Sequence, residues 1–305
     1  MSKCIDSISP KWIVLLVCLL SGVSGTMAVG NWWHYLGLSV AGGEANTLVS
    51  KSSATIQPLA GGEGQVSFHY EARAQRMFIQ LGVGAHYSLT QLSMSNLIES
   101  REAVDIAKES LLYQYRHTTL KEQQQTISAQ LMAQVGFLPA EHIYLGLGVK
   151  CLFPVTRNYK SVSQMLTTGA YERWAAEYIE DRPQYGYYPL SEYKYSGSVA
   201  SLKTYVVPTI EVGGNWNIGR TTLRCGIYAD YGLHIGDKTS KMITDYSQVN
   251  LIPANQTQTD LQQNLRINSL LDSKYIQSFS HLSVGIRFTV LFNVTTLRVP
   301  CHCMP

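Results

Sequence analysis

The chain has 305 residues, a formal net charge of +3, 15% charged residues, 24 glycines and 19 tyrosines. So light and balanced a charge provides no basic surface for nucleic acid. Beyond the N-terminus no run reaches the roughly 18 apolar residues of a spanning helix, which excludes a helical membrane protein.

Residues 1–28 read as a signal peptide: Lys3 and Lys11 supply positive charge, "WIVLLVCLLSGV" is the apolar core, and the small residues of "TMA" precede Val29. The mature chain therefore leaves the cytoplasm. Eight segments follow in which apolar and polar residues alternate: 32–43, 64–74, 76–90, 127–137, 142–155, 202–217, 222–236 and 276–294. A period of two marks a strand with one apolar face. In the seventh, Leu223, Cys225, Ile227, Ala229, Tyr231, Leu233 and Ile235 share one face, and Arg224, Gly226, Tyr228, Asp230, Gly232 and His234 the other. Each segment has the roughly 9 to 11 residues that a tilted membrane-spanning strand needs.

The joints alternate in length. Those near Gln75, at "LPAE" (138–141) and at "IGRT" (218–221) are short, whereas 44–63, 91–126, 156–201 and 237–275 are long. Brief turns at one end and long loops at the other are the pattern of an outer-membrane barrel. Charge placement agrees, because Glu71, Arg73, Lys150, Lys203, Glu211, Arg224, Asp230 and Arg287 all fall on polar faces and only His34 is titratable on an apolar one. An Arg or Lys facing lipid at the midplane costs about 2 to 4 kcal/mol. Trp32, Phe137, Trp216 and Phe292 sit on apolar faces near the short-turn end, at the height of an aromatic girdle.

The expected fold is all-β: a transmembrane eight-stranded antiparallel up-and-down barrel over residues 29–294, with four long extracellular loops and a tail at 295–305. Cys151 and Cys225 lie on separate strands as small hydrophobes, and Cys301 with Cys303 forms a C-x-C without the further ligands of a structural zinc site. No cofactor or metal site is expected.

With "DYGLHIG" ending the seventh strand, "LSVGIRFTVLF" as the closing one, and "LTTGAYERW" with "RPQYGYY" in the third long joint, the chain resembles the OmpA-type outer-membrane barrels of Gram-negative bacteria. The resemblance implies residence in the outer membrane, with its lipid as the constant partner. Two-domain members carry a peptidoglycan-binding module after the barrel. This sequence ends at Pro305, so a barrel without that module is expected.

Eight strands leave a lumen just wide enough for side chains to fill it. The inward Glu71, Arg73, Lys150, Glu211, Arg224, Asp230 and Arg287 are therefore expected to pair into a plug rather than a gate, with Arg287 as the hub bridging Glu71, Glu211 and Asp230. Two H-x-S triplets, His86-Tyr87-Ser88 and His281-Leu282-Ser283, suggest a nucleophile and base such as a lipid A deacylase would use. Both face inward, away from lipid, and neither has a carboxylate in evidence, so a non-enzymatic barrel is the expectation. The third long joint, with Tyr171, Trp174, Tyr178, Tyr185, Tyr187 and Tyr188, offers a candidate surface for an extracellular ligand, and its rings serve equally well to pack the loops together. The second fits either a short helix capped by Asn96 and Glu99 or strands continued above the membrane.

Overall fold

In the computed structural model residues 32–51, 56–104, 109–171, 178–182, 187–233, 241–245 and 266–295 are described. The signal segment, the tail with its two cysteines, and Trp174 and Tyr185 lie outside them. The strands are β1 (Trp33–Lys51), β2 (Ile56–Ala74), β3 (Met77–Val104), β4 (Ser110–Ala140), β5 (Ile143–Tyr171), β6 (Tyr178–Ile179), β7 (Ser191–Ser198), β8 (Tyr205–Ile218), β9 (Thr221–Gly232), β10 (Thr244–Asp245), β11 (Arg266–Ile267) and β12 (Ile276–Asn293). Eight of them close an antiparallel ring in the order β1-β2-β3-β4-β5-β8-β9-β12, with β12 paired back onto β1 from Tyr35↔Asn293 to Lys51↔Ile276. This is the expected up-and-down barrel.

Its exterior near the short turns is apolar. Leu38, Val40, Val83, Leu131, Ile227 and Phe288 all point outward and are exposed, and alternating strand geometry then turns their polar neighbours inward. Phe137, Trp216 and Phe292 are exposed on the outer face at the short-turn end; half-buried Trp32 shares the outward parity of Leu36 and Leu38, and Trp33, on the parity of inward Tyr35, is exposed at the rim. His34, the titratable residue on the apolar side, is satisfied by Tyr70 Oη at 2.7 Å.

The strands do not stop where the membrane band stops. β4 has 31 residues, about three times the roughly 10 that cross hydrocarbon. Along β3 the inward residues are Gln80, His86, Ser88 and Thr90, then Leu92 and Met94; outward, Leu81, Val83 and Tyr87 give way to Gln91, Ser93 and Ser95. On β4 Ile127 and Leu131 face out below, and Lys121, Gln123 and Gln125 face out above. The polarity of the two faces is exchanged. Below, apolar side chains lie outside and the paired charges inside; above, polar side chains lie outside and an apolar core inside.

That exchange corrects the loop expectation. Only residues 52–55 separate β1 from β2, and 105–109 separate β3 from β4, so two of the four long joints are extensions of the hairpins themselves. No helix starts at Asn96. It takes a left-handed backbone, φ 54°, opposite Thr118, where β4 carries one residue more than β5. Asn tolerates that region because its side chain is short and polar.

The upper core holds Leu92, Leu120, Tyr115, Tyr159 and Met165 from the ring and Tyr193 from β7, with Ile243, Ile267, Leu270, Leu271 and Tyr275 from the fourth long joint. The described parts of that joint, 241–245 and 266–275, fold into the barrel mouth. Glu99 accepts hydrogen bonds from the Ile243 and Thr244 amides at 2.8 and 2.7 Å, and His117 Nε2 meets Thr244 Oγ1 at 2.8 Å. Glu122 takes the Ser269 hydroxyl at 2.7 Å and the Leu270 amide at 2.8 Å, which anchors a 3-10 turn at Leu270–Asp272. Asp272 in turn accepts from the Ala200 and Ser201 amides, each at 2.7 Å, tying the fourth joint to the third.

Candidate functional site

The lower lumen contains four buried acids, Glu63, Glu71, Glu211 and Asp230, and four buried bases, Arg73, Lys150, Arg224 and Arg287. Formal charge therefore balances where water is scarce, as burial demands. At the short-turn end Arg224 grips Glu71 through two bonds, Nη1 to Oε2 at 2.5 Å and Nη2 to Oε1 at 2.9 Å. Arg73 adds Nε and Nη2 to Oε1 at 3.0 and 2.8 Å. The Arg224 guanidinium also lies over the Phe78 ring, 4.2 Å from its centroid, a favourable cation–π arrangement.

One layer up, Glu211 accepts Arg287 Nη1 at 2.5 Å and the Tyr144 hydroxyl at 2.5 Å. Room for Tyr144 comes from Gly226, where a Cβ would stand 2.2 Å from the phenolic oxygen. Above that, Lys150 pairs with Asp230. Arg287 is thus not the hub. It binds one carboxylate, Glu211; Glu71 belongs to Arg224 and Arg73, and Asp230 to Lys150. The layers are joined by the Gln65 amide, whose Oε1 accepts Lys150 at 3.1 Å and Arg287 at 3.3 Å and whose Nε2 donates to Glu63 at 2.9 Å and Asp230 at 3.4 Å. An uncharged amide can serve both signs at once, which a guanidinium cannot.

Glu63 stands at the top of the charged region. His86 Nε2 and His281 Nε2 each lie 3.0 Å from its Oε2, while Oε1 accepts the Tyr228 hydroxyl at 2.6 Å. The two H-x-S histidines are therefore brought together on a carboxylate, contrary to the expectation that none accompanies them. Nothing in the sequence pairs His86 with His281, and Glu63 fell in a stretch read as loop. Ser283 Oγ is buried without a hydrogen-bond partner, and both imidazoles direct Nε2 at Glu63.

The candidate binding aromatics divide differently. Tyr187 and Tyr188 are fully buried in the upper core, with the Tyr187 ring tilted against Tyr113 at 5.6 Å, and Tyr171 packs against the same core. These three rings fill the barrel mouth rather than present themselves to a ligand. Tyr178 lies in β6, beside Ala170.

No protein-family model and no curated protein matches the sequence. Among solved structures the chain is similar to the attachment invasion locus protein Ail of Yersinia pestis, with a TM-score of 0.29 and 8% identity over 84% of this chain and 97% of that one. It is also similar to the CymD monoaromatic hydrocarbon channel, with a TM-score of 0.18 and 6% identity over 90% of this chain and 91% of that one. Likenesses this loose carry no statement about activity.

Proposed function

We propose that the chain is an outer-membrane barrel built on the OmpA-type plan, exported by its N-terminal signal, that serves as a structural or surface-binding protein and neither conducts nor catalyses. The observation that carries this reading is that the lumen is filled twice over, by paired charges below and by an apolar core with an inserted joint above. A gate would have to break both. Two features support contact with an external partner. The upper barrel is a tall, polar-faced stem, and on it β3 presents Ile98 exposed on the outer face, an apolar contact point for a partner.

The test is electrical and chemical. The unmodified barrel, inserted into planar bilayers, is expected to give no stable conductance, and lipid A from cells with and without the protein is expected to have the same mass profile. A steady open channel would favour the narrow-pore reading, and a protein-dependent loss of an acyl chain the lipid-modifying one.

A further inference from the structure

The geometry points to a metal site: Glu63, His86 and His281 bind a single divalent transition-metal ion, zinc in preference to magnesium or calcium, at the upper end of the charged lumen. Two imidazoles and one carboxylate are a zinc donor set, whereas the hard cations call for oxygen ligands throughout. This inference does not rest on the surface-binding role.

Four observations meet here. The three donor atoms lie within 4.8 Å of one another, and each imidazole nitrogen is 3.0 Å from the carboxylate oxygen. Bonds of the usual zinc lengths set tetrahedral ligands about 3.4 Å apart, so a small opening of the cluster admits the ion. Second, Glu63 is orientated from behind: Tyr228 and Gln65 hold Oε1 and leave Oε2 turned to the histidines, the outer-shell support that fixes a metal-binding carboxylate. Third, the other acids of the lower lumen, Glu71, Glu211 and Asp230, each bond to Arg or Lys, while Glu63 has only neutral donors and imidazoles. Fourth, a cavity of about 40 Å³ reaches His281, walled by Thr47, Ser88, Thr90 and Thr126 on one side and by Val199, Leu202, Leu271 and Phe279 on the other, with room for a water molecule among the hydroxyls.

The strands explain how distant residues converge. His86 pairs with Gln65 across β2 and β3, and His281 comes from β12, beyond β1. The intervening β1 passes at Gly43, paired with Glu63 on one side and Gly285 on the other. With no side chain at Gly285, the Tyr228 hydroxyl crosses to Glu63 Oε1, and His281, level with Thr47, reaches Oε2 from above. On binding, each Nε2 gives up its place on Glu63 to the metal, and the ring proton resides on Nδ1. His86 Nδ1 has no partner, so nothing steadies that ring from behind and the ion should be removable by chelator.

The experiment uses the full barrel, refolded in detergent without a histidine tag and titrated with zinc chloride, then with cobalt(II). One zinc per barrel is expected, with the intense visible absorption of four-coordinate cobalt. Affinity is expected to fall at least tenfold in His86→Ala, His281→Ala and Glu63→Gln, and to stay unchanged in His34→Ala, each checked for heat-modifiable migration as a folded barrel. Absence of stoichiometric zinc overturns the site, as does binding that survives all three substitutions. Should those variants fail to fold, zinc X-ray absorption on the unmodified protein decides: two imidazoles in the coordination shell uphold the site, and one or none overturns it.

Discussion

Arg287 and Arg224 both bond to buried glutamates, yet their loss should not cost the same. Arg287→Met leaves Glu211 with Tyr144 and a long contact to Gln134 Nε2 at 3.4 Å, an almost unpaired charge. Arg224→Met leaves Glu71 still bound by Arg73. Breaking a truly buried pair commonly costs about 3 to 5 kcal/mol, so denaturant midpoints in lipid should fall by that order for Arg287→Met and clearly less for Arg224→Met. Equal shifts would mean that water reaches Glu211. Which side chains point inward was legible from the alternation, because Glu71, Arg224 and Arg287 fall on the polar parity of their strands. Which of them touch was not. Partnership depends on height in a closed lumen, and the connector Gln65 is neutral, so nothing in a search for opposite charges singles it out.

At the scale of the element, the strand limits were read short because the apolar parity, taken as the signature of a strand, changes sign at the membrane surface. After Thr90 the alternation continues with Leu92 and Met94 inward, then shifts again at Asn96. A reader following one apolar face sees it end. The inserted joint gives a pH test in the upper barrel. Burial alone would raise the Glu99 pKa, but His117, Thr244 and the two backbone amides outweigh it, and the carboxyl sits below its ordinary 4.5. Its anchoring is therefore present above pH 4.5 and lost as pH falls below it. For Glu122 burial prevails over hydrogen bonds from Ser269, Gln124, Leu270 and Ser161, and the pKa is raised, so its contribution is present below pH 4.5 and lost as pH rises through the elevated value. Amide exchange at Ile243 and Thr244, corrected for intrinsic rates, should quicken on acidification. Glu99→Gln should show that faster exchange already at neutral pH, since an amide nitrogen cannot accept the Thr244 bond. Exchange independent of pH and of the substitution would detach Glu99 from the joint.

For the whole molecule, the short turns share one end with both strand termini, and the tall hairpins rise at the other. A cysteine at Lys194, whose side chain is 73% exposed on β7, should be labelled by a membrane-impermeant reagent on intact cells. One at Glu141, in the turn between β4 and β5, should be labelled only after the outer membrane is opened; the reverse result would invert the topology. The same architecture governs how such a chain can be assembled. Arg224 reaches Glu71 across 153 positions of sequence, Lys150 reaches Asp230 across 80, and His281 reaches Glu63 across 218. The early strands neutralise themselves only in part, through Arg73 on Glu71 and His86 on Glu63. The second grip on Glu71 and the partners of Lys150 and Glu211 wait for β9 and β12, and contacts this remote in sequence make for slow, concerted folding. An unfinished chain thus carries bare charges along the faces that must turn inward, which discourages half-built sheets from settling into lipid before the last strand closes the ring.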